Sequence, residues 1–305
     1  MKLEQRFTLY NSFLMEGALG ERLKREYHLA FDENVTMAKL VYSSEGRKAL
    51  IELWGQYIAI AKSYGLPFLA TTPTRRANKE RVKLAGTNKS IINDNVSFLR
   101  DIQRNSNIDM YVGGLMGCKG DAYTGEGALT KDEAHMFHSW QANAFRDAGA
   151  DFLYAGIMPT LSEAIGMAEA MSDTHIPYII SFTIQRDGTL IDGTKICDAI
   201  HIIDDAVIHK PLCYMTNCVH PTIVYEALSQ PFNHTDIVQS RFLGVQANTS
   251  PLSYAELDHS EDLKCSESAA FAEDMIRLRN DMHFKIMGGC CGTDNRHMEA
   301  VARRL

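Results

Sequence analysis

Near the end of the chain, the stretch KIMGGCCGTDNRHM at residues 285–298 places Cys290 and Cys291 side by side behind Gly288 and Gly289. A third cysteine of interest, Cys218, stands in TNCVHP at residues 216–221. Thiolates are ligands that zinc prefers, and a zinc site that does chemistry takes three protein ligands and keeps one exchangeable position. Three thiols brought to one point would meet that requirement. Cys218 and Cys290 are 72 residues apart, so a local ribbon of paired C-x-x-C turns is excluded and only the fold can join them. Adjacent residues on a regular strand point to opposite faces, so Cys290 and Cys291 can share a metal only where the backbone turns, which Gly288 and Gly289 permit. The competing readings are ordinary ones. Free cysteine is most often a small buried hydrophobe, the reading taken for Cys197, Cys213 and Cys265. Cys213, five residues before Cys218 on one strand, is expected to face the other way. Cys118 and His220 are read as packed side chains rather than ligands. A disulfide between the adjacent Cys290 and Cys291 would be strained and unsuited to a reducing compartment.

The elements that must position these thiols are legible as repeated apolar runs. Eight occur, at 7–15, 66–72, 109–116, 151–158, 177–184, 211–217, 241–248 and 283–289, several of them nearly continuous in apolarity as buried parallel strands are. Between them lie amphipathic segments. Residues 44–65 end on Gly65, and residues 130–149 open with Thr130 and Glu133 in capping-box spacing and close on Gly149. Eight strand-then-helix units without a break in composition predict one α/β domain over residues 1–305, a (β/α)8 TIM barrel, with a doubly wound open sheet as the alternative. In a barrel, chemistry gathers where strands end and the following loops begin. Cys218 closes the sixth run, and Cys290 and Cys291 follow the eighth, so all three are expected at one mouth.

Composition restricts the partners. With 305 residues, 45% of them hydrophobic, and a net charge of −7, the chain can bury a full core and offers no general attraction to nucleic acid or anionic lipid. No run approaches the roughly 20 apolar residues that span a membrane. Seven cysteines, an odd number in a chain of this size, fit reduced thiols, and the expected location is cytoplasmic.

These motifs resemble the zinc-dependent homocysteine S-methyltransferase family, which includes the betaine- and S-methylmethionine-dependent enzymes. GGCCGT with HMEAVAR behind it, TNCVHP, ISFTIQRDGTLIDG and DAGADFLYAGIMPTLSEAIGMAEAM carry the resemblance, which runs from about residue 13 to 305. It implies a (β/α)8 barrel, a Zn2+ cofactor held by Cys218, Cys290 and Cys291, and substrate contacts from Glu16, Gly17, Ala18, Asn217, Asn248 and Gly289. It also implies the reaction, in which a thiol made a thiolate on zinc takes a methyl group from an onium compound or from a separately encoded corrinoid protein, with homocysteine giving methionine by default. No catalytic residue beyond the activated thiolate is implied.

Three departures from the family pattern bear on the acceptor. Glu16 stands where relatives carry Asp, Gly156 where homocysteine-using relatives present a Glu to the substrate ammonium, and Gln246 and Ala247 precede Asn248 in place of an aromatic-proline pair. A position with no side chain cannot pair with an ammonium. The alternatives are therefore a methyltransferase for a thiol lacking the usual amino group, or a zinc- or thiol-binding barrel without turnover. A zinc hydrolase ranks last, because all-thiolate ligation makes metal-bound water a poorer acid. Tyr123, in the loop after the third strand, is the aromatic side chain in position to face a donor cation.

Overall fold

The computed structural model describes residues 1–251 and 266–305; Cys265 lies outside the described residues. Eight strands form a closed, all-parallel barrel in chain order. They are β1 (Phe13–Met15), β2 (Phe68–Thr71), β3 (Met110–Gly117), β4 (Phe152–Met158), β5 (Tyr178–Phe182), β6 (Cys213–Val219), β7 (Phe242–Ala247) and β8 (Ile286–Gly289). Helices α1 (Leu3–Leu9), α2 (Gly20–Arg25), α3 (Ser44–Ser63), α4 (Lys79–Leu84), α5 (Ser90–Ser106), α6 (Lys131–Ala148), α7 (Leu161–Ser172), α8 (Ile196–Ala206), α9 (Pro221–Leu228), α10 (Asp236–Arg241), α11 (Ser268–Met282) and α12 (Asn295–Ala302) accompany the strands. The predicted barrel is the fold.

Burial on both faces accounts for the continuous apolarity of the strands. Phe13, Met15, Leu69, Tyr111, Phe152, Tyr154, Ile179, Cys213, Met215 and Ile286 fill the barrel interior, and α1 closes its lower end with Leu3 and Phe7. Residues of opposite parity, such as Leu14, Phe68, Val112, Leu153 and Ile180, join the larger core between strands and helices. Glycines on β3 make room for rings on either side. A Cβ on Gly113 would collide with the Phe152 ring and one on Gly114 with the Phe145 ring, so the side chains missing from β3 are replaced by aromatic bulk from its neighbours.

The helix ends follow their local chemistry. The Glu133 carboxylate accepts the Thr130 N–H at 3.0 Å and the Thr130 hydroxyl at 2.7 Å at the start of α6, and Gly149 ends that helix at φ +76°. One expectation is corrected. Residues 7–9 belong to α1, not to a strand, because Leu3 and Phe7 lie four apart on the one face that plugs the barrel. Cys213 faces the barrel interior together with Met215, and the left-handed backbone on this strand falls at Cys218 itself.

Candidate metal centre

The three cysteines meet at the C-terminal mouth of the barrel. One sulfur from each of Cys218, Cys290 and Cys291 lies within 4.8 Å of the other two, and the Cys218 and Cys290 sulfurs are joined as a disulfide, with Cα atoms 5.5 Å apart. Strand β7 separates β6 from β8, and its final residue is the small Ala247, which pairs with both Val219 and Gly289. The gap between the outer strands is thus narrow enough for the sulfurs to bridge.

Local backbone aims each sulfur. Cys218 has φ +59°, a left-handed value that costs a non-glycine residue on the order of 1–3 kcal/mol and swings its side chain off the outward parity of the strand. Asn248 supports this conformation, its Nδ2 donating to Cys218 O at 3.2 Å and its own N–H to Val219 O at 3.1 Å. On the other side, Cys290 N–H donates to Ala247 O at 2.7 Å, and Cys290 O accepts Thr293 N–H at 3.1 Å and the Thr293 hydroxyl at 2.7 Å. The left-handed turn that brings Cys291 round falls at Gly292, φ +81°, whose N–H donates to Glu21 Oε2 at 2.7 Å. Gly288 and Gly289 therefore serve packing rather than turning. A Cβ on Gly288 would come within 2.8 Å of Met15 Cβ and Gln246 Cγ, and one on Gly289 would strike the Thr293 side chain. Thr293 was not singled out by sequence reasoning, although it stands inside GGCCGT.

The expected substrate residues surround this cluster, and several are already occupied. Ala18 N–H donates to Thr293 Oγ1 at 3.0 Å, and Gly17 lies against Tyr57, whose hydroxyl would be 2.7 Å from an added Cβ. Asn217 turns sideways: its Oδ1 accepts Ile157 N–H at 3.0 Å and the Ser181 hydroxyl at 2.7 Å, bracing the left-handed Ile157 (φ +58°) next to Gly156. Glu16 is 2% exposed. Its carboxylate accepts the Thr71 N–H at 3.0 Å and the Thr71 hydroxyl at 2.6 Å, and burial, opposed by these bonds, pushes its pKa up to about 7. Gly156 and Gly117 pair across β4 and β3, two positions without side chains at one corner of the mouth.

Other candidates stand apart from the cluster. Among the described residues, the only set of three or more ligating side chains close enough to hold one metal is Cys218, Cys290 and Cys291. Cys118 donates to Gly120 O, and burial together with the nearby Glu163 pushes its thiol up to about 12, so it stays protonated. The Nδ1 of His220 meets Thr222 at the start of α9. Tyr123 sits in the loop after β3, its N–H on Asp121 Oδ1.

Comparison with known proteins gives this geometry its context. The family model for homocysteine S-methyltransferase matches residues 13–305. The chain belongs to the homocysteine S-methyltransferase family. Homocysteine S-methyltransferase YbgG of Bacillus subtilis (strain 168) is 27% identical over 194 residues, which cover 60% of this chain and 56% of that relative. The chain thus matches somewhat more than half the length of this family member. The metallated form of the Escherichia coli homocysteine methyltransferase MmuM superposes with a TM-score of 0.76 at 19% identity over 99% of both chains. Its oxidized form gives 0.76 at 20% identity, again over 99% of both chains. At these identities the two structures attest the barrel of the family. Among the described residues, no helix is long and apolar enough to cross a membrane.

The donor set fits zinc. With the Cys218–Cys290 pair reduced, three sulfurs this close together can occupy three corners of a tetrahedron, and the exposed side at Cys291 leaves the fourth corner to a ligand entering from solvent.

Proposed function

We propose that this chain transfers a methyl group from an onium or corrinoid donor to the sulfur of a thiol, with homocysteine as the default acceptor, and that Cys218, Cys290 and Cys291 hold zinc for that purpose. The convergence of the three sulfurs at the barrel mouth, in a chain of this family, carries the reading. Bound there, zinc withdraws charge from a thiol sulfur, so that a group with an ordinary pKa of about 8.5 is deprotonated at neutral pH.

The chain's own residues supply position. Asn248 and Thr293 fix the carbonyls of Cys218 and Cys290, so the sulfurs are aimed by a hydrogen-bonded frame rather than by free loops. Met15 and Met215 belong to the filled barrel interior beneath, so the acceptor sulfur and donor methyl must meet above it. Bringing the two reactants into line is the chief contribution asked of the fold, since no proton need move during the transfer itself. A cytoplasmic setting would keep the three thiols reduced and free to hold zinc.

Zinc-edge X-ray absorption on the reduced, zinc-loaded protein tests the acceptor step. Addition of homocysteine is expected to convert three sulfur neighbours plus one lighter atom into four sulfurs. An unchanged spectrum with homocysteine and with every other thiol tried would leave a metal-binding barrel without a thiol substrate. A donor panel of S-methylmethionine, S-adenosylmethionine and betaine, scored by methylated thiol, then identifies the methyl source or, if all fail, directs the search to a corrinoid protein.

A further inference from the structure

Two arginines occupy the same mouth of the barrel. Arg75 and Arg76 follow β2 in the run Thr71, Thr72, Pro73, Thr74. The connection that carries them is fastened by side chains. Thr72 Oγ1 accepts Leu115 N–H at 3.2 Å and meets Thr74 Oγ1 at 2.8 Å, Thr74 Oγ1 donates to Leu115 O at 2.9 Å, and Gln141 Nε2 donates to Thr74 O at 3.0 Å. Arg75 is thereby laid across the end of β3. A Cβ on Gly117 would come within 2.6 Å of Arg75 Cγ and 3.4 Å of its Cδ, so only glycine there admits the arginine stem. Gly117 pairs with Gly156, and the two bare positions leave the corner to the cation.

The two guanidiniums at this corner are not held in direct ion pairs. Its contact with Gly117 puts Arg75 at the C-terminal end of β3, where the loop that begins with Cys118 leaves the barrel. Arg76 is half-buried, and Arg81 and Arg75 act on it as like charges that Asp121 offsets only in part. Among the described residues, neither guanidinium has a hydrogen-bond or ion-pair partner. The nearby carboxylates are committed elsewhere: Glu16 to Thr71, Asp121 to the N–H groups of Tyr123 and Thr124 at 2.8 Å each, and Glu163 to Lys119 N–H, Leu129 N–H and His138. A guanidinium does not shed its proton to relieve such a site, and its planar fork matches an oxyanion in two-point contact. An anionic group entering the mouth would supply the direct partner that these side chains do not.

We infer that Arg75 and Arg76 form the receptor for an anionic group, a carboxylate or sulfonate, carried by the thiol acceptor whose sulfur meets the three-cysteine cluster. The inference rests on the thiol-acceptor reading above and narrows it: this mouth selects acceptors by a negative charge, and it offers no free carboxylate at Glu16 or Gly156 to an ammonium.

Calorimetric titration of the zinc-loaded full chain, without any methyl donor, tests it with 3-mercaptopropionate, 3-mercaptopropan-1-ol and 2-aminoethanethiol, and zinc-edge absorption reports whether each sulfur arrives. The acid is expected to bind about tenfold or more tightly than the alcohol, with the amine weakest. That preference is expected to collapse in Arg75→Gln/Arg76→Gln and to survive in part in Arg75→Lys, with bound zinc serving as the check that the variants are folded. Equal affinity for acid and alcohol would overturn the inference, as would a preference that persists in the double glutamine variant. So would a uniform loss for all three thiols, which would assign the arginines to balancing the charge of the cysteine thiolates. If no thiol perturbed the zinc edge, the acceptor reading itself would fall and this inference with it, an outcome distinct from a sulfur that arrives without charge selectivity.

Discussion

Thr293 and Cys290 are joined twice over: the threonine hydroxyl and the threonine N–H both donate to the Cys290 carbonyl, at 2.7 Å and 3.1 Å. The same hydroxyl oxygen accepts Ala18 N–H at 3.0 Å, so one side chain ties the end of β1 to the loop that carries two of the three sulfurs. Replacing Thr293 by Val keeps the volume and removes both side-chain bonds. Zinc affinity is expected to fall about 10- to 100-fold, the range seen when an outer partner of a ligand is lost. Competition against a chromophoric chelator measures this, and an unchanged affinity would show that the frame around Cys290 holds without the hydroxyl.

Each member of the cluster should matter more than its supports. Cys218→Ser, Cys290→Ser and Cys291→Ser each remove one of the three sulfurs that lie within 4.8 Å of one another. Their zinc affinity is expected to drop beyond the about 100-fold upper range for an outer partner. Cys118→Ser should bind zinc as the parent does, because Cys118 is outside the cluster and donates to Gly120 O instead. Metal analysis after dialysis against a weak chelator separates the two groups of variants. Zinc retained by Cys291→Ser would remove the adjacent cysteine from the ligand set.

Glu16 links the site to pH. Burial raises its pKa from 4.5 to about 7, so the folded chain holds a proton that the unfolded chain has already released above pH 4.5. The stabilisation from Glu16 is complete below pH 4.5, declines as pH rises toward 7, and is gone above it. At about 1.4 kcal/mol per pH unit, the whole effect is on the order of 3 kcal/mol. Glu16→Gln keeps an acceptor for the Thr71 N–H without ionising. Urea unfolding at pH 4.5 and pH 8 should therefore show the variant close to the parent at the lower pH and more stable by up to about 3 kcal/mol at the higher. A constant difference across the two pH values would mean that Glu16 ionises freely in the folded chain.

Much of this arrangement was readable in the sequence because it depends on parity and punctuation. Eight apolar runs and the Thr130–Glu133 spacing suffice for the barrel, and TNCVHP and GGCCGT lie at the ends of their strands as expected. What escaped depends on contacts between distant segments. The run at 7–15 alternates well enough to pass for one long strand, yet Leu3 and Phe7 find their burial as a helical plug, leaving only Phe13–Met15 in the sheet. The aim of Cys218 was not readable either, because parity counting assumes an uninterrupted strand and the left-handed Cys218 breaks it. That Thr71, 55 residues away, holds the Glu16 carboxylate had no signal in the sequence. Arg75 carried no sequence signal at all, since its meaning comes from Gly117 and Gly156 lying beside it.

The corner formed by Gly117 and Gly156 gives the most direct handle on acceptor choice. A Cβ on Gly156 would lie 2.9 Å from Leu115 Cδ1 and 3.7 Å from the Tyr154 ring, so its one tight neighbour is the far end of a flexible side chain that can move aside. Gly156→Glu is therefore expected to fold, at a cost of about 1–3 kcal/mol for the crowding. It places a carboxylate next to the β3 position over which Arg75 lies, where the two can pair. The arginine then has less attraction left for an anionic acceptor, and any free carboxylate oxygen favours an ammonium. Relative affinity for 3-mercaptopropionate over 2-aminoethanethiol should fall by about tenfold or more, while binding of the neutral 3-mercaptopropan-1-ol changes little, because selectivity is a difference between affinities and only the charged ligands sense the new group. Calorimetry on the zinc-loaded variant measures all three. A fall shared equally by the neutral thiol would show that the new side chain merely blocks the mouth, and unchanged ratios would place the acceptor's charge away from this corner.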